Sequence, residues 1–122
     1  MSRLRGHRDS FKFAFAGLET ALKQEPNFQV HVVIAVLVLI TAALLKFNTY
    51  EWLLTLFTIA YVIILELINT SLESIVDIVS PDKHPKAKVA KDVAASAVLV
   101  ATILSIIVLF AMFIPKVILL LS

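Results

Sequence analysis

From Ala94 to Ser122 the chain carries a single charged side chain, Lys116. A soluble domain of 122 residues has no interior that could enclose so long an apolar run, so the solvent for it is a bilayer. Two earlier stretches have the same character, one from about Phe28 to Phe47 and one from about Tyr50 to Asn69. A helix rising 1.5 Å per residue crosses the hydrocarbon in about 20 residues, and all three stretches meet that requirement. The chain is 60% hydrophobic with a mean hydropathy of +0.95. The expectation is one all-α integral membrane domain over residues 1–122. Pro115 and Lys116 mark a kink or an exit from the hydrocarbon, which sets the third span at 94–114.

The basic residues orient the spans. Arg3, Arg5, Arg8, Lys12 and Lys23 precede the first span, and Lys83, Lys86, Lys88 and Lys91 lie between the second and third. The link between the first two spans has only Lys46. The positive-inside rule then puts the N-terminus and a loop over 80–93 in the cytoplasm. Tyr50 and Trp52 fit an outer interfacial belt. The basic stretch Met1–Arg8 is not followed at once by a 7–15-residue apolar run or a small-residue cleavage site, so it does not read as a signal peptide.

Ahead of the first span, Phe11, Phe15, Leu18 and Leu22 recur at helical spacing. The pattern predicts an amphipathic helix over 9–25, capped by Asp9 or Ser10, closed by Pro26 and lying on the membrane surface.

The second span ends unusually. At 100° per residue, Glu66, Asn69, Thr70, Glu73 and Asp77 share one stripe. Hydrocarbon starting near Tyr50 ends near Asn69 after about 30 Å of helix. The helix then continues in water to about Val79, where Ser80-Pro81 stops it. Glu66 falls at the acyl boundary. A charged carboxylate is costly there and marks a functional site by default. Removing a carboxyl from water favours its protonated form, which is how a glutamate becomes a useful base near neutral pH. The stretch Asp82–Asp92 reads as a short basic loop facing the stripe, and the pairing of carboxylates with lysines suits a polyphosphate held through metal and ammonium groups.

With only Gly6 and Gly17, no phosphate-binding glycine loop is possible, and the absence of cysteine removes thiolate chemistry. From the residues alone, two other classes stay open: a small ion- or proton-coupled transport subunit with Glu66 as its ion site, and a structural subunit. Glu66 lies at the membrane edge, not the midplane, and several polar groups share its stripe. Both facts weigh against those classes.

The run Glu66-Leu-Ile-Asn-Thr-Ser-Leu-Glu73-Ser-Ile-Val-Asp77, followed by His84-Pro-Lys-Ala-Lys-Val-Ala-Lys91-Asp92, resembles the signature of the prokaryotic diacylglycerol kinase family. Asn27-Phe-Gln-Val-His31 and the HP-x-A-K-x-A-K-D loop resemble its Gram-positive branch, whose members are often undecaprenol kinases. The resemblance implies a multi-pass enzyme of the bacterial cell membrane, homotrimeric, with sites shared between subunits. It implies ATP and Mg²⁺, with undecaprenol as the lipid acceptor and diacylglycerol as the alternative. Glu66 matches the general base, and Asn69 lines the same site. Glu25 and Glu73 match the metal-holding carboxylates that also hold the nucleotide. Phe13, Asp82, Lys83, His84, Lys91 and Asp92 match nucleotide contacts. The family's usual arginine position is Gly6 here, with Arg5 or Arg8 as stand-ins. In the third span Ala97, Ala101 and Ser105 form a small-residue ridge for close helix approach. Phe11, Phe15 and Leu18 are expected to wall a lipid groove against the first span.

Overall fold

The structure is a computed structural model that describes residues 3–122, with side chains from residue 6 onward. The chain forms α1 (Arg3–Gln24), α2 (Pro26–Leu44), α3 (Thr49–Val79) and α4 (Pro85–Leu121). Helices α2, α3 and α4 are each long and apolar enough to cross a membrane.

Pro26 separates α1 from α2. Its missing N–H is harmless at the first position of a helix, and Glu25 before it is extended, at φ −106° and ψ 104°. Gln29 Nε2 ties the junction by donating to the Leu22 carbonyl at 2.9 Å. Helix α1 begins earlier than its apolar stripe suggests. Asp9 and Ser10 do not cap it; they lie inside it, and Ser10 Oγ donates back to the Gly6 carbonyl at 2.9 Å. Leu4 and the arginines are good helix formers, and one glycine costs only about 1 kcal/mol, too little to stop the helix.

The turn between α2 and α3 is built from backbone bonds. Phe47 N–H reaches Ala42 O at 3.2 Å and Lys46 N–H reaches Ala43 O at 3.1 Å, a Schellman motif. That motif needs a left-handed residue, and Lys46 takes the position with φ 54°. Asn48 then starts α3 with a capping box: Glu51 N–H donates to Asn48 Oδ1 at 2.9 Å, and Asn48 N–H donates to Glu51 Oε2 at 2.8 Å. The ring of Phe47 packs on Phe113 at 4.8 Å and on Trp52 at 6.3 Å.

Helix α3 packs on α4 along most of its length and on α2 less extensively, while α1 touches α2 lightly. Two ion pairs fix the antiparallel register of α3 and α4: Glu51–Lys116 at 3.1 Å and Asp77–Lys91 at 2.6 Å. That register sets Glu66 level with Ala101. The buried seam of α4 is Ala94, Val98, Ala101 and Ser105. Ala97 of the expected ridge is exposed, because the seam follows i, i+4, i+7 spacing from Ala94 and passes it by.

Two further expectations change. Residues from Pro85 onward are the first turns of α4, not a loop. Pro85 stands at the first helical position and His84 Nδ1 accepts from Lys86 N–H at 3.1 Å, so the connection shrinks to residues 80–84. At the other end, α4 runs through Pro115 to Leu121. Phe11, Phe15 and Leu18 are 69%, 68% and 42% exposed, so they wall no groove within the chain. An apolar cavity of about 140 Å³ lies instead among α2, α3 and α4, lined by His31, Val38, Val62 and Ser105 among others.

Candidate active site

The polar stripe of α3 goes from buried to exposed as the helix rises. Glu66 is 3% exposed and Asn69 6%, Glu73 is half-buried, and Asp77 is exposed. Burial follows from what faces the stripe. At the level of Glu66 and Asn69, α4 presents Val98 and Ala101, whose small or compact side chains let the helices close.

The hydrogen bonding is incomplete. Asn69 Nδ2 donates to Glu73 Oε1 at 3.1 Å, while the buried Asn69 Oδ1 accepts nothing among the described residues. An orphaned buried acceptor costs about 1–3 kcal/mol. Across the helix interface, His31 Nε2 of α2 lies 4.0 Å from Glu66 Oε2, beyond hydrogen-bond range. His31, Glu73 and Glu25 all lie near enough to Glu66 to act on it electrostatically. Glu25 is the residue before α2, yet its carboxylate makes no capping bond to that helix. It stands at the junction, half-buried and uncommitted.

A second feature lies beyond the stripe. The connection 80–84 and the first turns of α4 fold over the end of α3 to form an open cavity of about 710 Å³. Its lining includes Asp77, Asp82, Lys83, His84, Lys91 and Asp92, so it gathers five of the eight residues expected to hold the nucleotide. Of the others, Phe13 is on α1 and 70% exposed, and it, Glu25 and Glu73 all lie outside this lining. Within the cavity Lys91 is held by Asp77 at 2.6 Å, and Lys88 pairs with Asp92 at 2.5 Å. Lys83 makes no ion pair among the described residues. On α1, Arg8 is exposed, and a side chain at Gly6 would meet nothing within 4 Å. The side chain of Arg5 lies outside the described ones.

Among the described residues, no three carboxylate or imidazole groups stand together as a complete metal cage. Mg²⁺ does not ask for one. It takes one or two carboxylates and fills its octahedron with phosphate oxygens and water. Glu25, free of capping duty, and Glu73, with one oxygen engaged by Asn69, are donors of that kind.

Two elements of this site did not stand out in the sequence. Asp77 is on the stripe, but its role as tether for Lys91 depends on a contact between residues far apart in the chain. His31 marks only a family branch in the sequence, and no periodicity within one helix could place it against Glu66.

The structure thus sets a buried carboxylate, Glu66, and an open cavity lined by lysines and aspartates along one bundle of membrane-length helices. The profile of the prokaryotic diacylglycerol kinase family matches residues 12–113, and the chain belongs to that family. An undecaprenol kinase of Bacillus subtilis is 39% identical over 107 residues, covering 88% of this chain and 87% of that one. A diacylglycerol kinase of Synechocystis is 43% identical over 100 residues, 81% of this chain and 57% of its own. A diacylglycerol kinase of Helicobacter pylori is 35% identical over 104 residues, 83% of this chain and 81% of its own. The protein is thus a multi-pass membrane lipid kinase that carries out ATP-dependent phosphoryl transfer. The transport and structural classes left open by the residues alone are not favoured.

Proposed function

We propose that this kinase phosphorylates undecaprenol to undecaprenyl phosphate, with Glu66 as general base and Glu25 and Glu73 holding Mg²⁺ with the nucleotide. One observation carries the reading. A buried carboxylate, Glu66, lies one turn from a buried amide, Asn69, on one face of α3, and the amide oxygen has no partner among the described residues. The carboxylate suits the one proton of an acceptor hydroxyl, and the amide oxygen stays open to another donor.

In the transfer, the acceptor oxygen forms a bond to the γ-phosphorus and the bond from that phosphorus to the β–γ bridging oxygen breaks. ADP leaves, and the hydroxyl proton goes to Glu66. Bound Mg²⁺ would neutralise charge on the phosphate oxygens. The chain's own groups position. Asn69 Nδ2 orients Glu73, and Asn69 Oδ1 is open to a further donor such as a water. Lys91, Asp92, Asp82, Lys83 and His84 surround the nucleotide in the 710 Å³ cavity, and Phe13 offers a ring to it from α1. The basic residues beside this cavity support a cytoplasmic placing for it and for the N-terminus. The exposed Phe11 and Phe15 support a surface position for α1 or contact with a second copy in a homotrimer.

Undecaprenol is preferred over diacylglycerol because the Bacillus relative of that name is matched over 87% of its length. The test is a competition assay in one bilayer with both lipids at equal mole fraction, labelled ATP and Mg²⁺. Undecaprenol should take most of the label, with diacylglycerol weaker but detectable, since apolar walls discriminate by only about 1–3 kcal/mol. If diacylglycerol takes most of it, the acceptor assignment is wrong.

A further inference from the structure

Glu66 raises a question that the transfer step leaves unanswered. Each turnover puts the acceptor's proton on its carboxylate, and the next turnover needs that proton gone. The side chain is 5% exposed, so direct loss to water is obstructed.

The surrounding groups narrow the exit. From α4, the buried seam offers Ala94, Val98, Ala101 and Ser105, none of which takes up a proton near neutral pH. From α3 the charge of Glu73 reaches Glu66, and from the α1–α2 junction that of Glu25. Both of these carboxylates are occupied in turnover if they hold the metal and nucleotide, and a carboxylate bound to a divalent cation is a poor proton acceptor. The remaining group is His31 on α2. Its Nε2 is 4.0 Å from Glu66 Oε2, and its side chain is 20% exposed, four times the exposure of its partner. It stands near the start of α2, between the buried base and the outside of the bundle, and also borders the apolar cavity. A small rotation of either side chain brings the pair to hydrogen-bond distance. Histidine is also the side chain that ordinarily changes charge between about pH 5 and 8.

We propose that His31 is a positioning residue that orients Glu66 and carries its proton away after each turnover. This rests on the reading of Glu66 as the base. The balance is simple: the O–H bond of the Glu66 carboxylic acid breaks, an N–H bond forms at His31 Nε2, and the imidazolium then releases that proton to water. No electron is transferred and no co-reactant is required. Only a neutral imidazole can accept a proton, so kcat is expected to rise with pH.

The experiment compares the full chain in lipid bilayers with its His31→Gln, His31→Asn and Glu66→Gln variants. Substrates are saturating Mg²⁺–ATP and undecaprenol, across pH 5.5 to 8.5. Rates are expressed per folded molecule by circular dichroism, and added imidazole is the rescue probe. The two His31 variants should lose at least about 10-fold in kcat at neutral pH, a part of what acid–base groups contribute, with KM for ATP unchanged. They should also lose the wild-type rise of kcat with pH and regain rate when imidazole is added. A loss equal at every pH and insensitive to imidazole would mean that His31 only packs against Glu66, and would overturn the proposal. Glu66→Gln separates the two readings. If that variant turns over normally, the base assignment itself is wrong. If it is inactive while the His31 variants keep the wild-type pH profile, only the role of His31 is lost.

Discussion

The two ends of the bundle use the same residue types in opposite ways. At the turn between α2 and α3, Glu51 and Lys116 are both fully engaged. Glu51 accepts from the Asn48 backbone at 2.8 Å and pairs with Lys116 at 3.1 Å, and the Lys116 ammonium also lies 6.0 Å from the centre of the Phe47 ring. At the other end the pairing is partial. Asn69 Oδ1 is buried without a partner among the described residues, Glu66 and His31 stop at 4.0 Å, and Glu25 precedes a helix it does not cap. A buried polar group left unsatisfied calls for an explanation, and the proposed function supplies one: a ligand completes this end.

That contrast can be broken most forcefully at Glu66. Glu66→Gln keeps size and hydrogen bonding but cannot take a proton, so activity should fall by about 10²-fold or more while thermal unfolding in micelles hardly changes. Near-normal turnover in a folded Gln variant would erase the functional meaning of that end. Next in size come Glu25→Ala and Glu73→Ala. On the proposed assignment each leaves one carboxylate for the ion, so turnover at limiting Mg²⁺ should drop by about 10-fold and recover in part as Mg²⁺ is raised. Recovery is the discriminating readout, because no amount of Mg²⁺ should rescue Glu66→Gln. An unchanged Mg²⁺ titration in both variants would place the ion elsewhere.

The turn end should respond in stability and not in chemistry. Asn48→Ala removes the capping box of α3 and should cost about 1 kcal/mol in an equilibrium unfolding titration, with kcat per folded molecule unchanged. A loss of kcat there would show that the two ends are coupled. The smallest effect is expected at Lys46, a side chain in the left-handed region at φ 54°. Lys46→Gly should gain up to about 1 kcal/mol by the same titration, because glycine adopts that conformation without a Cβ clash.

How much of this was legible in the sequence depends on how far apart the interacting residues are. Three spans, the break at Pro26 and the stop at Ser80-Pro81 could all be read, since each rests on an apolar run or a local backbone rule. The stripe from Glu66 to Asp77 was also legible, because one helix sets the angles between its residues. The start of α4 at Pro85 was misread as loop. Lysines in a polar stretch look like a loop, although Pro85 at the first position and His84 ahead of it are helix-start signals. The Lys91–Asp77 tether, the His31–Glu66 approach and the true seam of α4 were not legible, because each depends on how one helix is rotated against another. Ala97 shows the cost of that ignorance: it has the right size and spacing, yet it faces outward.

The uninterrupted α3 has a further consequence. At 1.5 Å per residue, about 27 Å of helix separates the Asn48 cap from Glu66, close to the roughly 30 Å of a typical hydrocarbon core. The helix therefore acts as a depth gauge, rigid and anchored at its far end by Trp52 and the Phe47 ring. An acceptor's hydroxyl floats at the headgroup level of whatever bilayer surrounds it, whereas Glu66 stays at a fixed distance from the opposite surface. In a thin bilayer the carboxylate protrudes past the hydroxyl, and in a thick one it sinks below it unless the helix tilts. On the proposed reading, membrane thickness therefore sets how closely the Glu66 carboxylate and the acceptor's hydroxyl can approach.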